Sequence, residues 1–474
     1  MCRQHPIKIL YYTTRNFWLL LIPLARSLVA VKFDVATWLR GAWLDVLVLG
    51  AIFLFAYARW FFTVFEITEH GIIKKSGILL SVRDEIQYKN ICAVSMSQSA
   101  FLRMVHAGHI YIDTNSGLNP GTDIKLLIKK TDADRLIEII HQRAKNCMVY
   151  TFKPRKAHLA VFSLLFSSTL TGVILFATVM YQASKILGRE FDRRLYSGFN
   201  EITHKLALRV PPAMVAIGLV IVGGWLISFI ANLMRHWSFS VSRQKNQLTI
   251  KSGFVTKRVH ILDIDKINYI DVRQNLFMKW FFVSSVHIHC AGYGERKREI
   301  AVLLPITTRN EVVDSLHLLL PKTPSSMINL VPRTRNIMRF LWVPIILNVI
   351  MPIAIFIIIR IFPAWQDMIV NVGLLFVVPL LWLMIVKLFA FFSTGIGVNG
   401  DYVCFKYCNL YEFHTVTVEK DKICKIKITR TPFQRLGKNC NLHIYTTSES
   451  GKKHTVKNLP TLKAQEFISQ KLGY

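Results

Sequence analysis

The chain has 474 residues, 52% of them hydrophobic, and a mean hydropathy of +0.36, which excludes an ordinary soluble globular protein and points to several membrane crossings. With 59 Lys+Arg against 28 Asp+Glu the formal net charge is +31, so anionic surroundings are expected. Eight cysteines without a CxxC pair or a repeated spacing argue against a disulfide framework and agree with a reducing compartment.

Residues 1–62 comprise an N-terminal tail and two apolar runs, near 17–33 and 42–62, each close to the roughly 20 residues that a membrane-spanning helix needs. The first run contains Pro23 and Arg26; its other reading is a signal peptide behind Arg3, Lys8 and Arg15. A β-rich module is expected over 63–150, with a strand at 109–114 and a closing helix capped by Thr131–Asp134. A second hairpin spans 151–234, with crossings near 157–179 and 210–234. In its loop, 182–209, Ile186, Phe191, Leu195, Phe199, Ile202 and Leu206 recur at helical spacing, which predicts an amphipathic helix lying on the outer membrane surface.

Module 2, over 235–320, reads strand, turn, strand, with the turn at Gln244–Asn246; a strand at 286–290 and a helix capped by Thr308–Glu311 follow. The third hairpin occupies 321–393, with crossings near 337–359 and 368–392. Module 3, over 394–474, starts with a hairpin signal at Asn399-Gly400, continues with a strand at 442–447 and ends in a helix from Thr461. The predicted fold is therefore membrane α + β: six transmembrane helices in three hairpins, each followed by a β-barrel or sandwich module with a C-terminal helix.

The modules are internal repeats. Gly77, Ile91, Gln98 and Phe101 align without a gap on Gly253, Ile267, Gln274 and Phe277, and Ile423, Arg430, Phe433 and Arg435 continue the series. Paired crossings return every module, and both termini, to one side. Arg15, Arg59, Lys153, Arg155, Arg235, Arg333 and Arg335 flank the spans on that side, which the positive-inside rule makes cytoplasmic. The middle hairpin loop carries basic residues of its own.

Three segments carry a resemblance: Gln98-Ser-Ala-Phe101-Leu-Arg103, Gln274-Asn-Leu-Phe277-Met-Lys279 and Arg430-Thr-Pro-Phe433-Gln-Arg435-Leu-Gly437. Each follows a strand pair with a glycine turn and precedes a closing helix. The module resembles the bacterial pleckstrin-homology (PH) domain, and three copies behind hairpins resemble the YdbT/YdbS-like multi-pass membrane proteins of bacteria. The resemblance implies a partly open, bent β-barrel capped by a helix, a bacterial inner-membrane location and a smaller single-module relative as a partner. It implies no common ligand. Module 3 departs by having Arg430 for Gln, and modules 1 and 2 have no glycine matching Gly437.

Basic clusters are the candidate binding residues: Lys257-Arg258, Arg296-Lys297-Arg298, Lys425 with Lys427, and Lys452-Lys453. Beneath an anionic leaflet each Lys or Arg brought to the surface contributes about 1 kcal/mol; the alternative is a solvated face that binds nothing specific. No RNA- or DNA-binding pattern is present, so nucleic acid is not an expected partner. Gly395–Gly400 matches G-x-G-x-x-G by letter, but a span precedes it and a strand follows, so a dinucleotide site is not expected. His287 with His289, and His106 with His109, read as satisfied strand histidines, and Cys404 with Cys408 as small buried residues. Without HExxH, GxSxG or a P-loop, no enzyme, metal or cofactor is expected. The reading is a non-enzymatic, membrane-anchored interaction scaffold presenting three cytoplasmic modules to anionic lipids or proteins. The alternative is a transporter or lipid-handling protein using the bundle, with Arg26 as the one ionisable group clearly inside a span.

Overall fold

The structure is a computed structural model that describes residues 2–16, 43–78, 80–114, 123–142, 148–167, 172–178, 189–206, 212–291, 293, 301–324, 327–447 and 452–472. Module 1 begins with an antiparallel sheet, β1 (Cys2–Arg3), β2 (Val64–Ile67), β3 (Gly71–Ser76) and β4 (Val82–Gln87). A second set follows, β5 (Ile91–Gln98), β6 (Ala107–Thr114) and β7 (Ile124–Lys129), and the helix Lys130–Gln142 closes the module. Alternate residues of these strands point inward. Phe65, Ile72, Val94, Ile110, Ile112, Leu126 and Ile128 bury their side chains between the two sets, with Leu136 from the helix.

Module 2 repeats the plan with β8 (Met148–Phe152), β9 (Ser240–Gln244), β10 (Gln247–Ser252) and β11 (Lys257–Asp263). It continues with β12 (Tyr269–Gln274), β13 (Val283–His289), β14 (Val302–Thr308) and the helix Arg309–Leu319. Module 3 has β15 (Gly395–Asn399), β16 (Tyr402–Asn409), β17 (Glu412–Glu419), β18 (Ile423–Thr429), β19 (Asn439–Thr446) and β20 (Lys453–Pro460), then the helix Thr461–Phe467 with a wide last turn, Ile468–Leu472. The extended chain before each hydrophobic segment pairs with the strand after it. Cys2 lies opposite Phe65, Phe152 opposite Val241, and Leu330 bridges Ile396. On either side of each hydrophobic segment the chain thus runs through neighbouring, paired extended segments.

The sheets do not stop at module boundaries. The second set of module 1 and the first set of module 2 form one seven-stranded sheet, ordered β7-β6-β5-β11-β10-β9-β8. Modules 2 and 3 share a six-stranded sheet, ordered β14-β13-β12-β17-β16-β15. At the first junction Gln98 faces Lys257 and Ser95 faces His260; at the second Gln274 faces Phe413 and Asp271 faces Val416. The repeat alignment carries Gln98 onto Gln274 and Lys257 onto Phe413, so both junctions use one register. Since a slip of one residue would turn every side chain to the other face, an identical register reflects the same packing demand at both places.

Among the described residues three helices are long and apolar enough to cross a membrane: Gly218–His236, Thr334–Ile361 and Pro363–Phe392. Shorter apolar helices occupy Leu47–Phe61 and Lys156–Leu165. The predicted run at 17–33, with Arg26, lies outside the described residues, as does part of 157–179. The third hairpin packs helix on helix. Asn348 donates to the Leu380 carbonyl at 3.1 Å, and a Cβ on Gly373 would meet Ile355 at 2.5 Å. In the second hairpin a Cβ on Gly172 would lie 1.6 Å from the Gly224 carbonyl oxygen, so glycine is what lets these backbones touch. The helix Arg189–Leu206 fills most of the predicted amphipathic loop, with Tyr196 and Ile202 exposed and i,i+4 ion pairs Glu190–Arg194 and Glu201–Lys205.

Local expectations needed four corrections. Met148–Phe152 belongs to the sheet of module 2, because its backbone finds partners on β9. The hairpin loop of module 3 is Gly400-Asp401, one residue later than Asn399-Gly400, because Asn399 still pairs with Tyr402 and Gly400 takes the left-handed conformation, φ +59°. The helix of module 1 starts at Lys130, so Thr131 lies inside its first turn rather than capping it. Thr461 is the first helical residue of its helix, with Pro460 in the cap position. By contrast, the Thr308 N–H donates to Glu311 Oε2 at 3.2 Å, one half of the expected capping box.

Candidate functional site

The repeated motif is first of all a turn lock. Gln98 Nε2 donates to the Ala107 carbonyl and Gln274 Nε2 to the Val283 carbonyl, both at 2.9 Å and at equivalent positions. A five-residue helix follows each time: Ala100–Met104, Leu276–Trp280 and Pro432–Leu436. Ser99, Asn275 and Thr431 accept the first free N–H groups of these helices. The helices end on equivalent left-handed residues, His106, Phe282 and Lys438, at φ 51°, 53° and 51°. A side chain at such a φ costs about 1 kcal/mol, so Lys438→Gly is expected to raise the denaturation midpoint slightly. A lowered midpoint in urea melts of the purified protein would refute this.

Module 3 solves the same turn differently. Arg430 is exposed and does not reproduce the glutamine bond; Gln434 instead donates to Asn441 Oδ1 at 2.8 Å and Asn458 Oδ1 at 2.7 Å. Asn336, next to the third hairpin, exchanges hydrogen bonds with Asn439. Arg339 donates to the Phe433 carbonyl at 2.9 Å, and a Cβ on Gly437 would come within 2.1 Å of Arg339 Nη2. Gly437 is thus explained by Arg339, which makes room necessary in module 3. A similar close approach explains the G-x-G-x-x-G letters: a Cβ on Gly397 would lie 2.2 Å from the Met327 carbonyl oxygen.

The motif's outer face is apolar and basic. Phe101 is 56% exposed, Phe277 44% and Phe433 79%. Phe277 stacks on Trp382 of the third hairpin at 4.8 Å, and Leu276 is buried with Val386 and Ala390. Lys279 donates to Ser393 Oγ and sits 4.0 Å from the Phe413 ring; burial there pushes its ammonium down to about 8. Arg103 Nη2 donates to the carbonyls of Phe254 and Val255, at 3.2 and 2.9 Å. That turn is bound in turn to the end of a span: the Phe254 N–H donates to Met234 O and the Gly253 N–H to Trp237 O. The short helices therefore stand at the membrane-proximal edge of the modules.

Beside Arg103 a groove of about 330 Å³ opens at the first junction, lined by Gln98, Arg103, His106, Lys130, Asp134 and Lys257. Arg258 lies next to it on β11, opposite Ser97. A second group gathers on the last sheet: Lys425 and Lys427 of β18 share a face, with Lys453 in the same cross-strand row as Lys425 and Tyr445. Lys452 is exposed, 5.8 Å from the Tyr269 ring. Arg435 is exposed, and its side chain has no hydrogen-bond partner among the described residues. Arg296, Lys297 and Arg298 lie outside the described residues. Lys130 was not singled out in the sequence because it stands alone, without a basic neighbour beyond Lys129.

The junctions carry the most constrained polar chemistry. Ser95 Oγ lies 2.8 Å from His260 Nδ1 at the first. At the second, Asp271 is buried between Arg273 Nε at 2.7 Å and His414 Nδ1 at 3.0 Å. Burial alone raises the Asp271 carboxyl, but the His414 hydrogen bond and the Arg273 charge outweigh it and hold the group well below the usual carboxylate range. Burial pushes His287 and His289 far down, aided by Arg273 for the first and by Lys452 and Arg273 for the second, and it pushes His454 to about 4. A lysine latches each junction at the same repeat position. Lys266 Nζ donates to the Lys89 and Ile91 carbonyls, and Lys422 Nζ to those of Asp265 and Ile267. Both lysines stand just before the isoleucines that align the repeats, which is the signal that could have found them.

Six or seven strands and a closing helix, recurring behind hydrophobic helices, define a membrane protein of tandem PH-like modules. The family model for the bacterial PH domain matches three times, at 20–144, 202–318 and 340–472, and the chain belongs to that family. It is 24% identical over 289 residues to the UPF0699 transmembrane protein YdbT of Bacillus subtilis (strain 168). That alignment covers 59% of this chain and 54% of the relative, so the chain matches about half of that protein's length. No solved structure matches the chain.

Proposed function

We propose that the protein is a non-enzymatic membrane scaffold. Three hairpins carry a continuous β-spine of PH-like modules on the cytoplasmic face of a bacterial inner membrane, where the modules meet anionic headgroups and protein partners. The observation that carries this reading is the pair of inter-module ladders in one register: strands can only pair if all three modules share an aqueous compartment. The neighbouring entry and exit strands of each hairpin support paired crossings, and hence six spans. Positive residues at the span ends support the cytoplasmic side. A membrane-impermeant thiol reagent applied to intact cells should leave the exposed Cys2 and Cys424 unlabelled; labelling of either from outside ends the proposed arrangement.

The groove with Arg103, Lys130 and Lys257 is the proposed headgroup contact, because its cations stand within a short turn of a span's end. Isolated modules would expose the strands they normally share, so the test uses the full chain. Purified protein reconstituted with mixed lipid should retain anionic over zwitterionic lipid, and Lys130→Glu with Lys257→Glu should reduce that preference several-fold, more so at low salt. Equal retention by both proteins would remove the lipid role. A smaller single-module relative is the proposed protein partner, and co-purification from native membranes that recovers none counts against it.

A further inference from the structure

Each internal junction joins the last strand of one module's first set to the first strand of the preceding module's second set. β11 receives β5, and β17 receives β12. Two strands of these classes remain without such a neighbour among the described residues. β4 ends the four-stranded sheet of module 1, and β18 ends the three-stranded sheet of module 3. We infer that β4 of one chain pairs with β18 of a second copy, continuing the spine from chain to chain by the junction that the fold already uses twice.

The shared register makes the pairing specific. Carried through the repeat alignment, it sets Lys427 opposite Asp84, Thr429 opposite Val82 and Lys425 opposite Ile86. Lys427 thereby takes the place of Ser95, and Asp84 that of its hydrogen-bonded partner His260. The charges complement each other, with two lysines on β18 facing a β4 that holds Asp84 and Glu85 against Arg83. Asp84 is shared within its own sheet with Lys74 at 3.0 Å, and Arg83 with Glu85 at 2.9 Å. Both edges are open, since Val82, Glu85, Lys425 and Lys427 are exposed, whereas Val94, Ile261 and Val416 at the internal junctions are buried. A further contact follows from Arg435, the counterpart of Arg103. Its guanidinium, without a hydrogen-bond partner among the described residues, would hold the segment after β3 of the second copy, as Arg103 holds Phe254 and Val255.

Two differences fix the character of the contact. Asn90 stands where Lys266 and Lys422 latch the internal junctions, so the lysine latch is missing. Glu85 and Arg83 would face Ile426 and Ile428, where the first junction pairs Ile261 and Val259 with Val94 and Met96. The intermolecular pairing is therefore weaker than the internal ones and depends on protein density in the membrane. Because donor and acceptor edges differ, it is head-to-tail and builds a ring or an open row rather than a closed two-fold dimer. It rests on the scaffold reading only in requiring that all modules share one compartment.

The test is disulfide trapping in native membranes, with Cys2→Ser and Cys424→Ser as the background. Two differently tagged chains are co-expressed, one with Asp84→Cys and one with Lys427→Cys. Directly opposed strand residues bring their Cβ atoms to within about 5 Å, close enough to bridge. The expected result is a mixed disulfide dimer, and a ladder of higher species when both substitutions share one chain. Glu85→Cys with Lys427→Cys should give none, because Glu85 points to the opposite face. No mixed dimer, or equal trapping by the Glu85 pair, overturns the inference. So does trapping of Lys427→Cys on a smaller protein, or a bridge only within one chain. Glu85 and Lys427 are exposed and Asp84 is half-buried, and unchanged unfolding of each variant shows that the fold is intact. Charge exchange is a second readout: Asp84→Lys and Lys427→Asp each lower cross-linking through neighbouring reporter cysteines at Val82 and Thr429, and the two together restore it. Thiol labelling from outside the cell would defeat the scaffold reading separately, without touching the trapping result.

Discussion

Replacing Asp271 by alanine is expected to destabilise the second junction by about 3–5 kcal/mol, the range for breaking a buried charge pair from one side. Asp271 is 2% exposed and is the acceptor for both Arg273 and His414. Removing it leaves a guanidinium with little access to water and no carboxylate, facing His289 Nε2 at 3.1 Å. Water cannot replace the lost partner in a site closed by two packed sheets. Denaturant unfolding of the purified protein should show the loss, and hydrogen exchange should locate it on β12 and β17 while β5 and β11 keep their protection. The double variant Asp271→Leu with Arg273→Met removes both charges, so it should cost much less than the single change. A single-variant loss below about 1 kcal/mol would mean that the pair is not desolvated as described.

Acid should open the same region before it denatures the rest of module 3. His454 lies in module 3, its Nδ1 2.9 Å from the Tyr407 hydroxyl and its ring 5.0 Å from Tyr269 of module 2. Burial, opposed by Asp271 and aided by the Lys452 charge, takes its folded pKa to about 4, against about 6.5 in the unfolded chain. A lowered histidine pKa means that the unfolded state binds the proton first. Stability is therefore full above pH 6.5 and falls as the pH drops toward 4, by about 3 kcal/mol for this group alone. His287 and His289 are shifted in the same direction and steepen the fall. Asp271 acts later: its depressed carboxyl keeps its full contribution above about pH 3.9 and loses it only below that. Burial also takes His109 of module 1 to about 4, so position-resolved exchange is needed to separate the modules. Melts at pH 7, 5.5 and 4.5 should show the decline, and His454→Phe should flatten it. A level curve across that range, or an unchanged slope in the variant, contradicts the assignment.

The legible parts of this protein are those set by local pattern. Apolar runs gave the hydrophobic helices, alternation gave the strands, and a gap-free repeat gave the modules with their Gln98, Gln274 and Phe277 motif. Turn and cap chemistry was legible to within a residue, missing at Gly400-Asp401 and Thr461 because neighbouring backbone pairing decides which residue turns. Basic pairs such as Lys257-Arg258 were visible as charge. That Lys257 shares a groove with Arg103 and Lys130 was not, since three separate elements bring them together.

By itself the sequence determined three copies of one fold behind hydrophobic segments, because period and hydropathy are properties of short stretches of chain. Only the tertiary structure decided that the copies share sheets, that Asp271 and His414 meet across a module boundary, and that β4 and β18 end their sheets among the described residues. Strand pairing joins residues more than a hundred positions apart through backbone groups that every residue carries, so no pattern of side chains announces it.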